Sequence, residues 1–365
     1  MAGPVGLQWP CLARTITKNQ GSNLQNTTAR RRTPAKVLLT SAGSLLGRAI
    51  LSTLRGRRQQ LVVIGGDMNP YHPGISSCDV AVKLPPTHTL EFIKAVASTV
   101  AEHHIDLVIP GRDPDALLLA HTNVPLAASK PQLVEISRDK LLTYQWCKNV
   151  GIPFAATACT DHADRQQVFE WPLPLIAKPR SGSGSLGVRV LHTRAQVAAT
   201  LAQPGMVIQP FLDAPSQLTP DLTLGTPLFW EVACNAEYGV QALIGPRGEV
   251  GPWFCFVASH KSGRNDTLRP CQDPSLQAFA SEVAPKLAGH GWRGPINLQV
   301  RRSPQGWQLI EINPRFSGGT SGRYLLGFDE VGWVLNNWLG AGTVPPGPAV
   351  TAREVVWLPQ EFELT

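Results

Sequence analysis

The chain has no paired cysteine motif. Its seven cysteines, at 11, 78, 147, 159, 234, 255 and 271, are odd in number and form no C-x-x-C spacing. That pattern excludes a zinc ribbon or a disulfide framework and points to free thiols in a reducing, cytoplasmic compartment. No apolar run reaches the ~20 residues that a bilayer span needs, and no secretory h-region is present, so no membrane partner is expected. Acidic residues are absent from the first 36 positions, which carry Arg14, Lys18, Arg30, Arg31, Arg32 and Lys36. These six account for all but one of the net charge of +7. The rest of the chain is therefore almost neutral, and without a basic patch on the folded body no nucleic-acid partner is expected. Residues 1–35, rich in Asn, Gln and Thr and without periodic apolar positions, read as a disordered basic tail. The acid-free start is also similar to an organelle transit peptide, but it is poor in Ser.

The most informative segment is Gln308-Leu309-Ile310-Glu311-Ile312-Asn313-Pro314-Arg315-Phe316-Ser317-Gly318-Gly319. In an extended run Glu311, Asn313 and Arg315 share one face while Leu309, Ile310 and Ile312 pack. A carboxylate beside an amide oxygen suits a hard cation such as Mg²⁺, which usually completes its shell with nucleotide phosphates. Upstream, Pro295 to Val300 reads as a second alternating strand. If Pro304-Gln305-Gly306 is a three-residue hairpin loop with Gly306 left-handed, residue 303 pairs with 307, 301 with 309, and Gln299 with Glu311. The alternative is a plain antiparallel hairpin with a solvated polar face.

A second constellation is Pro174-Leu175-Ile176-Ala177-Lys178-Pro179-Arg180, followed by Ser181-Gly182-Ser183-Gly184-Ser185-Leu186-Gly187 and Val188 to Leu191. The glycines match G-x-G-x-x-G, but a dinucleotide site needs a helix next, and the continuation here is β-branched. Strand, glycine loop, strand fits better: the loop can cover a triphosphate and donate N–H groups, with Lys178 as a point charge. The alternative is a mobile surface turn.

Taken in order, these segments resemble the ATP-grasp superfamily, specifically its carbamoyl-phosphate-synthetase-like carboxylate–amine ligases. The resemblance runs from about Lys36 to about Gly340. It implies that Lys140, after Asp139, is a first phosphate-binding lysine, and that Lys178 with Ser183 and Gly184 of the flap is the second. Gln209-Pro210-Phe211-Leu212 would be the hinge that grips adenine, and Glu237 the acid that reaches the ribose. Gln299, Glu311 and Asn313 would be Mg²⁺ (or Mn²⁺) ligands, and Arg315 would meet the reacting phosphoryl or carboxylate group. Two departures are visible. The hinge usually begins with Glu where this chain has Gln209, and the insertion from Asp213 to Phe229 leaves Glu231 as an alternative ribose ligand.

The implied activity is attack of a carboxylate on ATP, giving an acylphosphate that an amine converts to an amide or peptide bond with release of ADP and phosphate. Lys140, Lys178 and Arg315 would neutralise developing charge, and flap closure would exclude water. Lys261 and Arg264 are further candidates on the phosphate or substrate side, or simply solvated. The expected partners are small carboxylates and amines, amino-acid-derived by default, and a homodimer is compatible with the resemblance. Arg112, Asp113, Arg315, Arg323, Ser317 and Gly318 are candidate substrate contacts.

At the front, Lys36 to Thr40, a glycine turn over Ser41 to Gly47 opening a helix to Leu54, Leu61 to Asp67, and Ile105 to Pro110 describe a doubly wound Rossmann-like unit. The fold class is therefore α/β with an α+β lid: a Rossmann-like pre-ATP-grasp domain over 36–125, an ATP-grasp domain over 126–345 with its lid at about 153–208, and a tail over 346–365. The glycine turn and the loop Gly111 to Asp115 would face the substrate. A rival reading is a short-chain dehydrogenase, from that turn, Asp67, and Tyr144 and Lys148 at Tyr-x-x-x-Lys spacing, but it leaves everything after Lys148 unexplained. A third is a non-catalytic nucleotide-binding module. Trp146 and Phe92 read as helix core, and Trp230, Trp253, Phe254 and Phe256 as sheet core first and adenine-pocket wall second.

Overall fold

The computed structural model describes residues 33–213 apart from 73 and 183–185, residues 226–227, residues 237–347 apart from 262–263, and residues 352–357. The 1–32 part of the expected basic tail, Trp230, Glu231, Ser183 and Gly184 lie outside the described residues.

The front of the chain forms a four-stranded parallel sheet. Its strands are β1 (Ala35–Thr40), β2 (Leu61–Asp67), β3 (Val80–Lys83) and β4 (Leu107–Ile109), in the order β3-β2-β1-β4. β1 is buried at every position but Lys36, as a strand with helices on both faces must be. Helix α1 (Leu45–Thr53) starts where Ser44 Oγ accepts the Gly47 N–H. Helices α2 (Leu90–His103) and α3 (Asp113–Ala120) follow, so the expected loop over Gly111 to Asp115 is only Gly111 and Arg112, and Asp113 already opens a helix. Phe92 is core, packed with Leu38, Ile64 and Val108.

After α4 (Pro131–Arg138) and α5 (Lys140–Asn149), two antiparallel sheets form. The smaller has the order β5-β8-β6-β7-β9, from β5 (Ala158–Cys159), β6 (Leu175–Pro179), β7 (Arg189–Leu191), β8 (Met206–Pro210) and β9 (Thr226–Pro227), and α6 (Arg194–Leu201) covers it. The larger has the order β14-β13-β10-β11-β12-β15, from β10 (Glu237–Ile244), β11 (Val250–Lys261), β12 (Arg264–Pro270), β13 (Gly294–Ser303), β14 (Gly306–Asn313) and β15 (Val355–Val356). One face of this sheet is apolar: Val240, Ile296, Leu298, Val300, Leu309 and Ile312 bury against Leu276, Ala280 and Val283 of α7 (Pro274–Gly289). A second core joins Val37, Leu39 and Ile50 of the front unit to Leu243, Phe316 and, from α9 (Glu330–Leu339), Val331 and Val334. Between them lies the short α8 (Thr320–Leu325). Trp146 is half-buried, edge-on to Trp292 at 5.3 Å, and Phe254 stacks on Phe328 at 5.3 Å.

The hairpin register differs instructively from the expectation. Ser303 pairs with Gly306, Arg302 with Trp307, Arg301 with Gln308 and Val300 with Leu309. The turn therefore has two residues, Pro304 and Gln305. A bulge at Ile310 then absorbs one residue and restores Gln299 opposite Glu311. Gly306 has φ 112°, a conformation that glycine supplies without strain. β14 ends at Asn313, so Arg315 lies past the strand.

Candidate functional site

The other face of the larger sheet is polar. Gln299 stands opposite Glu311 and Asn297 opposite Asn313; on the far side of β13, Gly239 and Gln241 pair with the same two residues. Directly opposed residues share a face, so the rows read Gly239, Gln299, Glu311 and Gln241, Asn297, Asn313. Asn297 Nδ2 donates to Gln241 Oε1 at 3.1 Å. A Cβ on Gly239 would lie 2.3 Å from Phe256 Cζ, so that ring fills the space a side chain would take. Arg301, two residues past Gln299, is buried opposite Gln308. Sequence reading passed over Arg301, although the alternation Asn297, Gln299, Arg301 was there to find it.

Two lysines approach this face. Lys140 is the first residue of α5, and Asp139 Oδ1 caps the helix by accepting from the N–H groups of Leu141 and Leu142 at 3.0 and 3.1 Å. Asp139 Oδ2 accepts from Arg180 Nε at 2.7 Å. The Lys140 N–H donates to Arg180 O at 3.0 Å and its Nζ to Gly182 O at 3.2 Å. The base of the glycine loop is thus clamped to the start of α5, a role of Asp139 and Arg180 that no motif announced. Lys178 on β6 is 6 % exposed and its Nζ donates to Ile310 O at 3.3 Å. That acceptor belongs to the bulged residue, which ties the lysine strand to the Glu311 hairpin. Burial pushes the Lys178 ammonium down to about 8, Lys140 and Arg301 add to the fall, and Glu311 and Glu237 oppose it. Among the described residues neither lysine forms an ion pair, although both are buried.

At the expected hinge, Gln209 is buried and its Nε2 donates to Thr157 Oγ1 at 2.8 Å. The Phe211 N–H donates to Pro174 O at 3.2 Å and the Leu212 N–H to Pro210 O at 3.0 Å. Glu237 opens β10, half-buried, opposite Ala258. Lys261 ends β11 and pairs with Arg264 at the start of β12, so these residues sit in strands at a hairpin end rather than in a loop.

Arg315 reaches across to the front unit. Its Nε and Nη2 donate to the two carboxylate oxygens of Asp113, the latter at 3.0 Å. Nη2 also donates to Asn313 Oδ1 at 3.2 Å and Nη1 to Phe316 O at 2.9 Å. Arg138 Nη1 stands 3.9 Å from Asp113 Oδ2, and Arg112, exposed, acts on the same carboxylate. Burial pushes the Asp113 carboxyl up, but Arg315, Arg138 and Arg112 together hold it below the usual range. Ser317 Oγ accepts from Arg323 Nη2 at 3.0 Å. Arg323 is fully buried, paired with Glu330 at 2.7 Å and lying over Phe256, so it shapes the 317–319 turn, which contains Gly318, from below.

The dehydrogenase reading fails on geometry. The Gly43 N–H donates to Asp67 Oδ2 at 2.9 Å, and a Cβ at Gly43 would meet His72 Cγ at 2.6 Å. The turn that would hold a pyrophosphate is filled by the protein itself. Asp115, also buried, accepts from Thr40 Oγ1 at 2.6 Å and Thr87 Oγ1 at 2.8 Å. Tyr144 packs on Phe154 at 6.2 Å, with Lys148 exposed.

Among the described residues no three His, Cys, Asp or Glu side chains converge. Gln299, Glu311 and Asn313 offer oxygens only, with one negative charge. Such a set fits Mg²⁺ that takes its remaining ligands from phosphate and water, and does not fit a closed structural metal. No helix among the described residues is long and apolar enough to cross a membrane.

These features define the ATP-grasp fold. Residues 228–361, which include the site hairpin, match the family described as ATP-grasp in the biosynthetic pathway with Ter operon. The chain is also similar to a synthase and a ligase. It is 22% identical over 239 residues to the arginine-specific carbamoyl phosphate synthase large chain of Geobacillus stearothermophilus, covering 63% of this chain and 21% of that one. It is 24% identical over 204 residues to D-alanine–D-alanine ligase of Alcanivorax borkumensis, covering 54% and 60%. The chain thus spans less than two thirds of these curated relatives. Among solved structures, N5-carboxyaminoimidazole synthetase of Staphylococcus aureus with ADP superposes with a TM-score of 0.65 at 13% identity over 85% of this chain and 78% of that one. The biotin carboxylase domain of Hydrogenobacter thermophilus 2-oxoglutarate carboxylase, with MgADP and bicarbonate, gives 0.62 at 12% over 86% and 73%.

Proposed function

We propose that this protein is an ADP-forming carboxylate–amine ligase, joining a small carboxylate to an amine or amino group through an acylphosphate. One observation carries the reading. Lys140 and Lys178 are both buried ammonium groups without an ion pair among the described residues, and Lys178 is tied to the carbonyl beside Glu311. An unpaired buried cation costs several kcal/mol, and a polyphosphate is the anion that two such cations, one on the strand that leads into a glycine loop and one at a helix start, would share.

In this reading Pro210 O and the Leu212 N–H, now bonded to each other at 3.0 Å, form the acceptor and donor pair that an adenine edge would take up. Gln209, anchored to Thr157 through Nε2, would offer its Oε1 to the adenine amino group, and Glu237 would face the ribose. Gln299, Glu311 and Asn313 would hold Mg²⁺, which when bound supplies charge neutralisation at the phosphates. Asn313 Oδ1 has a second lone pair beyond the one facing Arg315, so both contacts are compatible. Arg315, fixed by Asp113, would orient the acid for in-line attack on the γ-phosphate. Lys261 remains a candidate on the phosphate side, and Arg112, Ser317 and Gly318 on the substrate side. The expected locale is the cytoplasm, the Lys36–Gly340 body is the catalytic unit, and a homodimer is compatible with it.

The test is transfer of heavy oxygen from a labelled carboxylate to inorganic phosphate during ADP release. Label in phosphate marks the acylphosphate. ATP binding without acid-dependent ADP release would leave a nucleotide-binding module instead.

A further inference from the structure

Four of the five N–H donors of Arg315 are already committed, to both oxygens of Asp113, to Asn313 Oδ1 and to Phe316 O. The guanidinium therefore has one donor left for a substrate. Around that single carboxylate stand two more guanidinium groups. Arg138, the last residue of α4, lies 3.9 Å from Asp113 Oδ2, and Arg112, exposed, immediately precedes Asp113. Three guanidinium groups thus gather around one carboxylate at the junction of the front unit with the hairpin, and Glu311 acts on Arg315 from the hairpin side. The Arg315 end touches Asn313, whose partner across the sheet belongs to the Gln299 and Glu311 face; at the other end Arg112 is exposed and Arg138 partly so.

From this geometry we infer that the acid substrate is a short dianion, a dicarboxylate or an acidic amino acid, with one carboxylate at the Arg315 end and the second at Arg138 and Arg112. With Glu311 given to Mg²⁺ in the ligase reading, a monocarboxylate would leave the cluster with an uncompensated cation that is partly desolvated. A second carboxylate one short chain away balances it. Spacing supports a short chain, because Arg138 Nη1 and Arg315 Nη2 both contact Asp113 Oδ2, at 3.9 and 3.0 Å, and so are no farther apart than the sum of those distances. Arg138 becomes the residue that selects the second charge, and Asp113 the residue that positions Arg315.

This inference rests on the ligase reading, and the experiment separates the two. Each diacid is paired with the amide that lacks one charge: succinate with succinamate, aspartate with asparagine, glutamate with glutamine. Binding is measured calorimetrically to the full-length protein loaded with Mg²⁺ and a non-hydrolysable ATP analogue, and ADP release is measured in parallel with Mg-ATP. At least one diacid should bind at least about tenfold tighter than its amide, the size expected for hydrogen bonds to a charged group. Arg138→Ala should erase that ratio with nucleotide affinity unchanged, and Arg138→Lys should restore part of it. Diacid binding that depends on Arg138 without any ADP release would uphold the site and overturn the ligase reading. Acid-dependent ADP release with no preference for any diacid, or a preference untouched by Arg138→Ala, would overturn the dianion site and leave the ligase reading standing.

Discussion

At Ser41 to Gly47 and again at Ser181 to Gly187 a strand runs into a glycine-rich turn, and the two turns spend their backbone differently. In the first, the Gly43 N–H goes to Asp67, the Gly47 N–H to Ser44 Oγ, and the His72 ring lies where a Cβ on Gly43 would be. Among the described residues of the second, contacts run from Arg180 to Asp139 and from Lys140 to Gly182 O. Gly182 has φ 145°, and a Cβ there would find its nearest neighbour, Pro179 Cβ, only at 3.9 Å. A glycine turn whose donors are consumed in folding is a folding device, whereas a turn that is to hold a ligand must keep donors over. Motif spacing cannot tell these apart; the partners can.

The comparison predicts that damage on the open side costs chemistry and damage on the closed side costs stability. The largest effect belongs to Glu311→Gln, which keeps size and strand propensity but removes the one charge of the expected metal set. Acid-dependent ADP release should fall by roughly three orders of magnitude, as for loss of a key electrostatic group, with the thermal midpoint within about 2 °C of the parent. Parent-rate turnover in a folded variant would return the hairpin to a structural role.

Lys178→Met comes next. Mg-ATP affinity should weaken by about 2–5 kcal/mol, the range for removing one partner of a desolvated charge pair. Thermal stability should meanwhile rise, because a buried ammonium depressed to about 8 is a burden on the ligand-free fold. A variant that loses stability and keeps its nucleotide affinity would place Lys178 in the core rather than in the site. Gly43→Ala is smaller and falls on the other side of the comparison. Its Cβ would stand 2.6 Å from His72 Cγ, near the root of a side chain that cannot swing clear. Denaturant unfolding should show a loss of about 1–3 kcal/mol, with nucleotide affinity unaltered.

Sequence patterning exposed the strands, the lysines and the hairpin, because each is written in local periodicity and turn chemistry. Gln299 was placed opposite Glu311 through a three-residue loop; the structure reaches the same pairing through a two-residue turn and a bulge at Ile310. The bulge left no mark in composition, since Ile310 is as apolar as its neighbours, yet it presents the carbonyl that Lys178 finds. Arg315 and Asp113, 202 positions apart, are joined only by tertiary packing. Arg112, Asp113 and Arg315 were named as substrate candidates one by one, but their convergence with Arg138 could not be read from a chain without distances. Arg301 was legible in the β13 alternation, but attention to hard-oxygen ligands passed over a guanidinium in the same row.

The smallest effect is also the most discriminating, because it moves both sides of the comparison at once. Lys178 has its ammonium depressed from 10.5 to about 8 by burial. Below that value it is charged in the folded protein and offers a cation to phosphate. As pH rises from 7 to 9 the charge is lost, and Mg-ATP affinity should fall by about tenfold, the change expected one unit above the midpoint. Stability should move the other way. Between about 8 and 10.5 the unfolded chain keeps the Lys178 proton that the folded chain has released, so the unfolded state binds more protons and the Lys178 contribution to unfolding free energy increases with pH. Below about 8 both states are protonated and the burden is fully present. Lys178→Met should flatten both responses together. Nucleotide affinity and unfolding free energy, each measured at pH 7, 8 and 9 in parent and variant, give four curves. A parent affinity that stays level across that range, or a fall that persists in Lys178→Met, would remove this lysine from the phosphate site.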